Sequence, residues 1–243
     1  MKSQTEITDF RKVLELAVTD GKSIIVGGHA VNFWALFYFH RIEAELRQFM
    51  PFTSKDLDFY GDSHLLESLR KRFGGVKRMS QPRGPVIGQV ELEIDGAKRI
   101  VEVLHSVHGL SPKDLAKSSP PVLEVNQCKA RVLDPVSLLK SKIHNAADFE
   151  QKERNDVRHV KIMLLCTREF ILDALEEAML GKLPQRNLVN LLQNVRAVIS
   201  DPKAEKVSRS WSIPFPKVWP TRQLESCGLS KVDNFLKHHL GSS

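Results

Sequence analysis

The sequence has few cysteines and no long apolar run. Its three cysteines, Cys128, Cys166 and Cys227, are far apart and form no CxxC pair, which argues against a disulfide framework or a structural zinc site. No apolar run is long enough to span a bilayer, and no apolar segment typical of a signal peptide follows Met1. We therefore expect a cytoplasmic protein with free thiols and no membrane partner.

The sequence also lacks two common nucleotide-binding motifs, the GxGxxG turn of dinucleotide-binding folds and the GxxxxGK[ST] loop of P-loop proteins. Lysine and arginine nevertheless outnumber acidic residues by 36 to 29, which gives a net charge of +7. This excess favours an anionic partner such as a nucleotide or RNA. Hydrophobic residues make up 42% of the 243 positions, enough to build a core.

Hydrophobic periodicity divides the chain near residue 130. Over residues 1–130, short apolar or alternating segments predict strands, and helical patterns lie between them. Over residues 131–243 the patterns are helical, and separate helices are predicted at 155–166 and 168–181. The segment after Asp201-Pro202, rich in proline and tryptophan, is predicted to be extended on the surface. The expected class is α+β: a small mixed β-sheet domain with flanking helices, followed by a helical domain.

Asp56 and Asp58 form the first candidate site. Side chains at positions i and i+2 of a strand point to one face, with Cα atoms roughly 6–7 Å apart. Two carboxylates this close repel each other unless a cation lies between them, and Mg²⁺ prefers such oxygen ligands. Two solvated acids on an edge strand would explain the pattern equally well if it stood alone.

Gly27-Gly28 lies between an apolar strand and a predicted helix. Such a pair allows close backbone approach and exposes N–H groups at a helix N-terminus, where phosphates bind. A tight strand-to-helix turn is the alternative explanation. Glu102 is a third candidate, because its predicted strand, 100–105, has apolar residues on both faces, and a buried acid needs a partner or a metal.

Together these residues resemble a known superfamily. The motifs Val26-Gly27-Gly28-His29, Asp56-Leu57-Asp58 and Val101-Glu102-Val103 resemble those of the DNA polymerase β-type nucleotidyltransferases. The segment 135–143, followed by the motif at 152–159, resembles the AbiEii-like abortive-infection toxin branch, which has a lysine in one helix and a lysine-and-acid motif in the next. The chain departs from the family in its long spacing between Gly28 and Asp56, its third acid (Glu102), and His159.

The resemblance implies a metal-dependent transfer of a nucleoside monophosphate from an NTP to an acceptor hydroxyl. Asp56, Asp58 and Glu102 would hold Mg²⁺ or Mn²⁺ as catalytic ligands. The nucleotide would contact five other residues: Gly27, Gly28, Ser54, Lys142 and Asp156. A toxin-like enzyme of this branch could take tRNA as acceptor and have a cognate antitoxin as partner.

Several alternatives stay open at this point. Lys142 lies on the apolar side of its helix, where it could reach a triphosphate or extend along the surface to solvent. Lys152 and Asp156 have the spacing of a surface ion pair. The histidines show no metal-ligand spacing, and we expect His29, His105 and His108 to be structural. The protein could also be a small-molecule, antibiotic-type nucleotidyltransferase or a non-catalytic nucleotide- or RNA-binding module.

Overall fold

A computed structural model describes residues 4–80, 84–117 and 120–239. Seven strands form a five-stranded sheet of order β1-β2-β5-β4-β3 and a two-stranded ribbon, β6-β7. In the larger sheet β2 and β5 run parallel, and the other neighbours are antiparallel. The strands are β1 (Ile24–Val26), β2 (Leu57–Tyr60), β3 (Val76–Met79), β4 (Val86–Ile94), β5 (Ala97–Leu104), β6 (Val122–Val125) and β7 (Cys128–Arg131).

Helices flank the sheet and make up most of the second half of the described chain. They are α1 (Arg11–Asp20), α2 (Gly27–Tyr38), α3 (Glu43–Leu46), α4 (Ser63–Phe73), α5 (Pro112–Lys117), α6 (Pro135–Asp148), α7 (Asp156–Met179), α8 (Gln185–Ile199), α9 (Pro202–Trp211), α10 (Thr221–Ser226) and α11 (Ser230–His239). The predicted α+β class, with a small mixed sheet first and helices after it, is confirmed. The described helices include none that is long and apolar enough to cross a membrane.

Helix α2 joins the two halves of the molecule. Its residues are apolar on nearly all sides, as expected of a helix surrounded by protein, and it packs against both β2 and α7. The indole Nε1 of Trp34 donates a hydrogen bond to the carbonyl of Leu133 at 2.8 Å. One continuous set of buried apolar side chains therefore runs from the sheet into the helical part.

The predicted pair of helices at 155–166 and 168–181 is wrong, because α7 is one continuous helix, Asp156–Met179. Thr167 lies at the predicted break, but it is buried and its hydroxyl donates to the carbonyl of Pro135. A β-branched residue lowers helix propensity only slightly. Packing against α2 and α6 compensates for that cost.

The prediction of an extended C-terminal segment is also wrong, because α9, α10 and α11 occupy most of it. Asp201 caps α9 by accepting a hydrogen bond from the backbone N–H of Lys203, and Pro202 occupies the first turn. Proline is well tolerated there because its missing N–H would have no partner within the helix. The pair that was taken as the end of helical structure is thus a helix start.

The chain near the predicted domain boundary is hydrogen-bonded to the sheet. The backbone N–H of Leu133 donates to the carbonyl of Ile25 at 3.1 Å, and Val132 forms an isolated parallel bridge with Ile25. The division into domains at 1–130 and 131–243 stays a prediction.

Candidate active site

The glycine pair ends β1 and opens α2. Gly27 has a φ of +69°, a conformation that L-residues with side chains adopt at a cost. A Cβ built on Gly27 would lie 1.9 Å from Oδ2 of Asp58. The backbone at Gly27 therefore lies directly against the Asp58 carboxylate, an approach that only glycine permits.

Gly28 makes a second close approach, to Ser54. A Cβ on Gly28 would lie 2.4 Å from Oγ of Ser54. Ser54 is held in place by Thr5, whose backbone exchanges two hydrogen bonds with it, at 2.8 and 2.9 Å. The Thr5 hydroxyl also donates to the Ser54 carbonyl at 2.7 Å and lies 3.1 Å from Nε2 of His29. Buried His29, whose pKa burial lowers to about 3, is thus structural, as expected.

The three predicted acids lie on β2 and β5 or immediately before β2. Asp58 and Glu102 are register partners on these neighbouring parallel strands, which lie about 4.8 Å apart. Asp56 directly precedes β2. Asp58 and Glu102 alternate with buried apolar residues and are themselves half-buried. The structure thus places two of the acids side by side on one face of the sheet, with the third two residues away along the chain.

The expectation that the Glu102 strand is buried on both faces is wrong. Val101 and Val103 are buried, but Ile100, Glu102 and Leu104 are only half-buried. In sheets with antiparallel pairs, a central strand is commonly buried on one face and open to solvent on the other. The face that carries Glu102 is therefore accessible to a ligand.

Lys142 and Asp156 form a buried ion pair in the helical part. Nζ of Lys142 lies 3.2 Å from Oδ1 of Asp156, and the two side chains are 7% and 4% exposed. The idea that Lys142 extends to solvent is therefore wrong. Burial raises the pKa of Asp156, but the charges of Lys142 and Arg154 outweigh it, and the pKa lies below its ordinary value.

The predicted surface ion pair between Lys152 and Asp156 is not formed as expected. Helix α7 begins at Asp156, and Lys152 lies in the turn that precedes it, so the two residues do not share a helix face. Asp156 is buried and pairs instead with Lys142 and, at 2.6 Å, with Arg154.

His159 links this ion pair to the glycine turn. It lies one turn after Asp156 on α7, and its Cε1 would be 3.5 Å from a Cβ on Gly28. Its ring nitrogens are both buried and make no hydrogen bond in the described structure. Burial, followed by the charge of Lys142, holds its pKa well below 6.5, so the ring is neutral at pH 7. In the sequence, His159 stood out only as a departure from the family pattern.

The long segment between Gly28 and Asp56 is anchored on α7. Arg158 donates to the carbonyls of Phe49 and Pro51, and Arg168 pairs with Glu45 at 2.6 Å. Lys55 donates to the carbonyl of Glu153 at 3.3 Å. These contacts place the Ser54–Asp58 stretch beside the start of α7. The glycine turn therefore lies against Asp58, Ser54 and His159, while Lys142 and Asp156 form their ion pair between α6 and α7. The roles of these residues in binding and catalysis stay predictions.

A large groove elsewhere contains none of these residues. Its volume is about 750 Å³, and it lies along α6 and α8, with Asp134, Lys140, Asn187 and Asn194 among its lining residues. The glycine turn and the three acids therefore lie outside this groove.

Comparison with known proteins gives a single distant likeness. No protein-family model matches the chain, and no curated protein matches it. Its structure is similar to that of an antigenic nucleotidyltransferase-like protein from Paracoccidioides brasiliensis, with a TM-score of 0.43 and 19% identity. The likeness covers 67% of this chain and 78% of the other.

Proposed function

We propose that the chain is a metal-dependent nucleotidyltransferase that moves a nucleoside monophosphate from an NTP to an acceptor hydroxyl. The observation that carries the proposal is the contact of the glycine turn with Asp58, whose register partner is Glu102. The N-terminus of α2, where a phosphate could bind, thus lies beside carboxylates that suit a divalent cation.

The residues fit such a cation in the chemistry of their donors. Asp56, Asp58 and Glu102 offer hard carboxylate oxygens, which Mg²⁺ and Mn²⁺ prefer over nitrogen or sulfur. The absence of a side chain at position 27 lets the start of α2 approach the Asp58 carboxylate closely. When bound, the cation would neutralise charge on the triphosphate and on the oxygens of the in-line displacement.

The chain's own groups would then bind and orient the reactants. Backbone N–H groups of Gly27 and Gly28, together with the Ser54 hydroxyl, would donate to phosphate oxygens. Glu102 would accept the proton of the acceptor hydroxyl. The acceptor oxygen would form a bond to the α-phosphorus as the bond to the β-phosphate oxygen breaks, and pyrophosphate would leave. Lys142 and Asp156 would support the site from the helical side, with His159 between them and Gly28.

RNA is the acceptor class that the charge favours, since the net charge of +7 suits a polyanion. We include tRNA as the acceptor and a toxin-like role with a cognate antitoxin in the proposal, on the strength of the AbiEii-like sequence motifs. Affinity for RNA would fall steeply with salt, whereas affinity for a small acceptor would not.

A non-catalytic nucleotide-binding module is the second candidate. One observation favours it: the Lys142 ammonium is already paired with buried Asp156, so its charge is partly compensated before any phosphate binds.

The test is transfer of label from each of the four α-labelled NTPs into total RNA, protein and small acceptors, with Mg²⁺ or Mn²⁺. We expect Asp58→Asn to abolish transfer, because it removes one carboxylate charge beside the glycine turn. Glu93→Gln is the matched control, because Glu93 is an exposed acid on the neighbouring strand β4 and should leave transfer unchanged. The enzymatic proposal would be refuted if no metal-dependent transfer were seen, or if the transfer persisted in Asp58→Asn. Binding of NTP without transfer would favour the non-catalytic nucleotide-binding module.

A further inference from the structure

Two histidines and an aspartate that are not among the predicted site residues converge in the structure. His144 and Asp148 lie one turn apart on α6, and His108 lies in the segment between β5 and α5. One ligand atom from each of the three residues lies within 4.8 Å of the others. The spacing of the histidines in the sequence did not indicate this cluster, because His108 comes from a distant part of the chain.

Gly109 makes this convergence possible. Its φ is +82°, and a Cβ on it would lie 2.7 Å from Cγ of His144. The backbone that carries His108 can therefore lie against the His144 ring only because residue 109 lacks a side chain. The phenyl ring of Phe149 packs against His108 with 5.0 Å between ring centroids. The two histidines are thus held close together by packing on both sides.

His144 has an unsatisfied nitrogen that faces an acid. Its Nε2 is buried and makes no hydrogen bond in the described structure. Oδ2 of Asp201 lies 3.7 Å from it, which is too far for a hydrogen bond. This nitrogen is therefore a ring donor whose bonding capacity is not used within the described structure.

Asp148 already has cationic neighbours. Nε2 of His108 lies 2.8 Å from its Oδ2, and the ammonium of Lys203 contacts the same oxygen. These two hydrogen bonds, Lys203 first, lower the pKa of Asp148. The carboxylate is thus ionised at neutral pH, and a metal ion at this place would have to displace the lysine. Lys203 is 36% exposed, so its long side chain has solvent to move into.

We propose that His108, His144 and Asp148 form a binding site for a zinc-type transition-metal ion. Imidazole together with carboxylate suits Zn²⁺, Co²⁺ or Ni²⁺, and does not suit Mg²⁺. The ion would tie the segment after β5 to α6, so its role would be structural and distinct from that of the three acids.

The test is titration of the full chain, freed of metal by a chelator, with Co²⁺ and then Zn²⁺. Bound Co²⁺ should give the visible absorption of a tetrahedral site at one ion per chain, and Zn²⁺ should displace it and raise the melting temperature. We expect His108→Ala and His144→Ala each to weaken binding at least about tenfold. Lys203→Met should strengthen binding, because it removes the competing ammonium.

The controls separate this site from scattered surface histidines and from misfolding. His105→Ala removes an exposed histidine three residues before His108 and should bind Co²⁺ like the unchanged protein. His108 is 43% exposed, so His108→Ala should keep its circular dichroism and its melting temperature without metal. The proposal fails if the unchanged protein shows no such absorption, or if the absorption survives in His108→Ala. Neither outcome depends on nucleotide transfer, so the two proposals can fail separately.

Discussion

Replacing Gly27 by alanine tests the arrangement of the candidate active site most directly. The new Cβ would lie 1.9 Å from the Asp58 carboxylate, whereas real Cβ atoms hardly ever approach other atoms closer than 3.0 Å. The backbone of α2 and the Asp58 side chain must therefore move apart by about 1.1 Å, and displacements of about 1 Å can cost about 10²-fold in rate. We expect Gly27→Ala to lower nucleotide transfer by about 10²-fold.

The variant should also lose stability, from two separable causes. Alanine at a φ of +69° costs about 1–2 kcal/mol in the free energy of unfolding. The forced contact with Asp58 adds about 1–3 kcal/mol, the usual cost of overpacking. Gly21→Ala is a matched control, because Gly21 has the same φ of +69° with no atom within 4 Å of its Cβ position. It should show the first cost only and keep full activity.

Urea denaturation of the two variants, together with the transfer assay, measures both effects. Adding Asp58→Ala to Gly27→Ala should recover most of the contact cost, because the crowding carboxylate is then absent. If Gly27→Ala matched Gly21→Ala in both stability and transfer, the glycine turn would not lie against Asp58, and the reasoning for the site would be refuted.

Two further predictions concern the buried groups of α6 and α7. Lys142→Met should lower the free energy of unfolding by about 3 kcal/mol in urea denaturation, because it leaves buried Asp156 without one of its two cations. A loss below about 1 kcal/mol would contradict a buried pair. Lys140→Met is the control, because it breaks a more exposed pair. Burial lowers the pKa of His159 well below 6.5 in the folded state. As the pH falls below 6.5, His159 therefore takes up a proton only in the unfolded state. The free energy of unfolding should then fall by up to about 1.4 kcal/mol per pH unit. His159→Gln should show a shallower fall than the unchanged protein, and an equal slope would mean that His159 is protonated in the folded state.

Local sequence predicted most of the sheet and most of the long helices. An apolar run followed by two glycines predicted β1 and the start of α2, and the strand predicted at 100–105 overlaps β5. The strand β3 was not predicted, because most of its residues are exposed and its position comes from pairing with β4. The helices after Asp201 were missed because proline was taken as a breaker, although it occupies a first turn there.

The candidate site divides in the same way between local and distant information. Asp56 and Asp58 stand two residues apart, so their proximity follows from the local sequence, although Asp56 lies just before β2 and not in the strand. Glu102 was chosen for burial on both faces, which it lacks, yet it is the register partner of Asp58. In the sheet β2 pairs with β5, although α4, β3 and β4 lie between them in the chain. No local sequence pattern predicts this pairing.

Two features were decided by the tertiary structure alone. His159 comes beside Gly28 because α7 packs on α2, and His108 comes beside His144 because the segment after β5 lies against α6. Residue types and spacing by themselves determined the short elements and the chemical groups available: a glycine turn at a helix start, a pair of acids and an excess of positive charge. Which groups meet depends on how all the apolar faces are buried together, a property of the whole chain that no single segment contains.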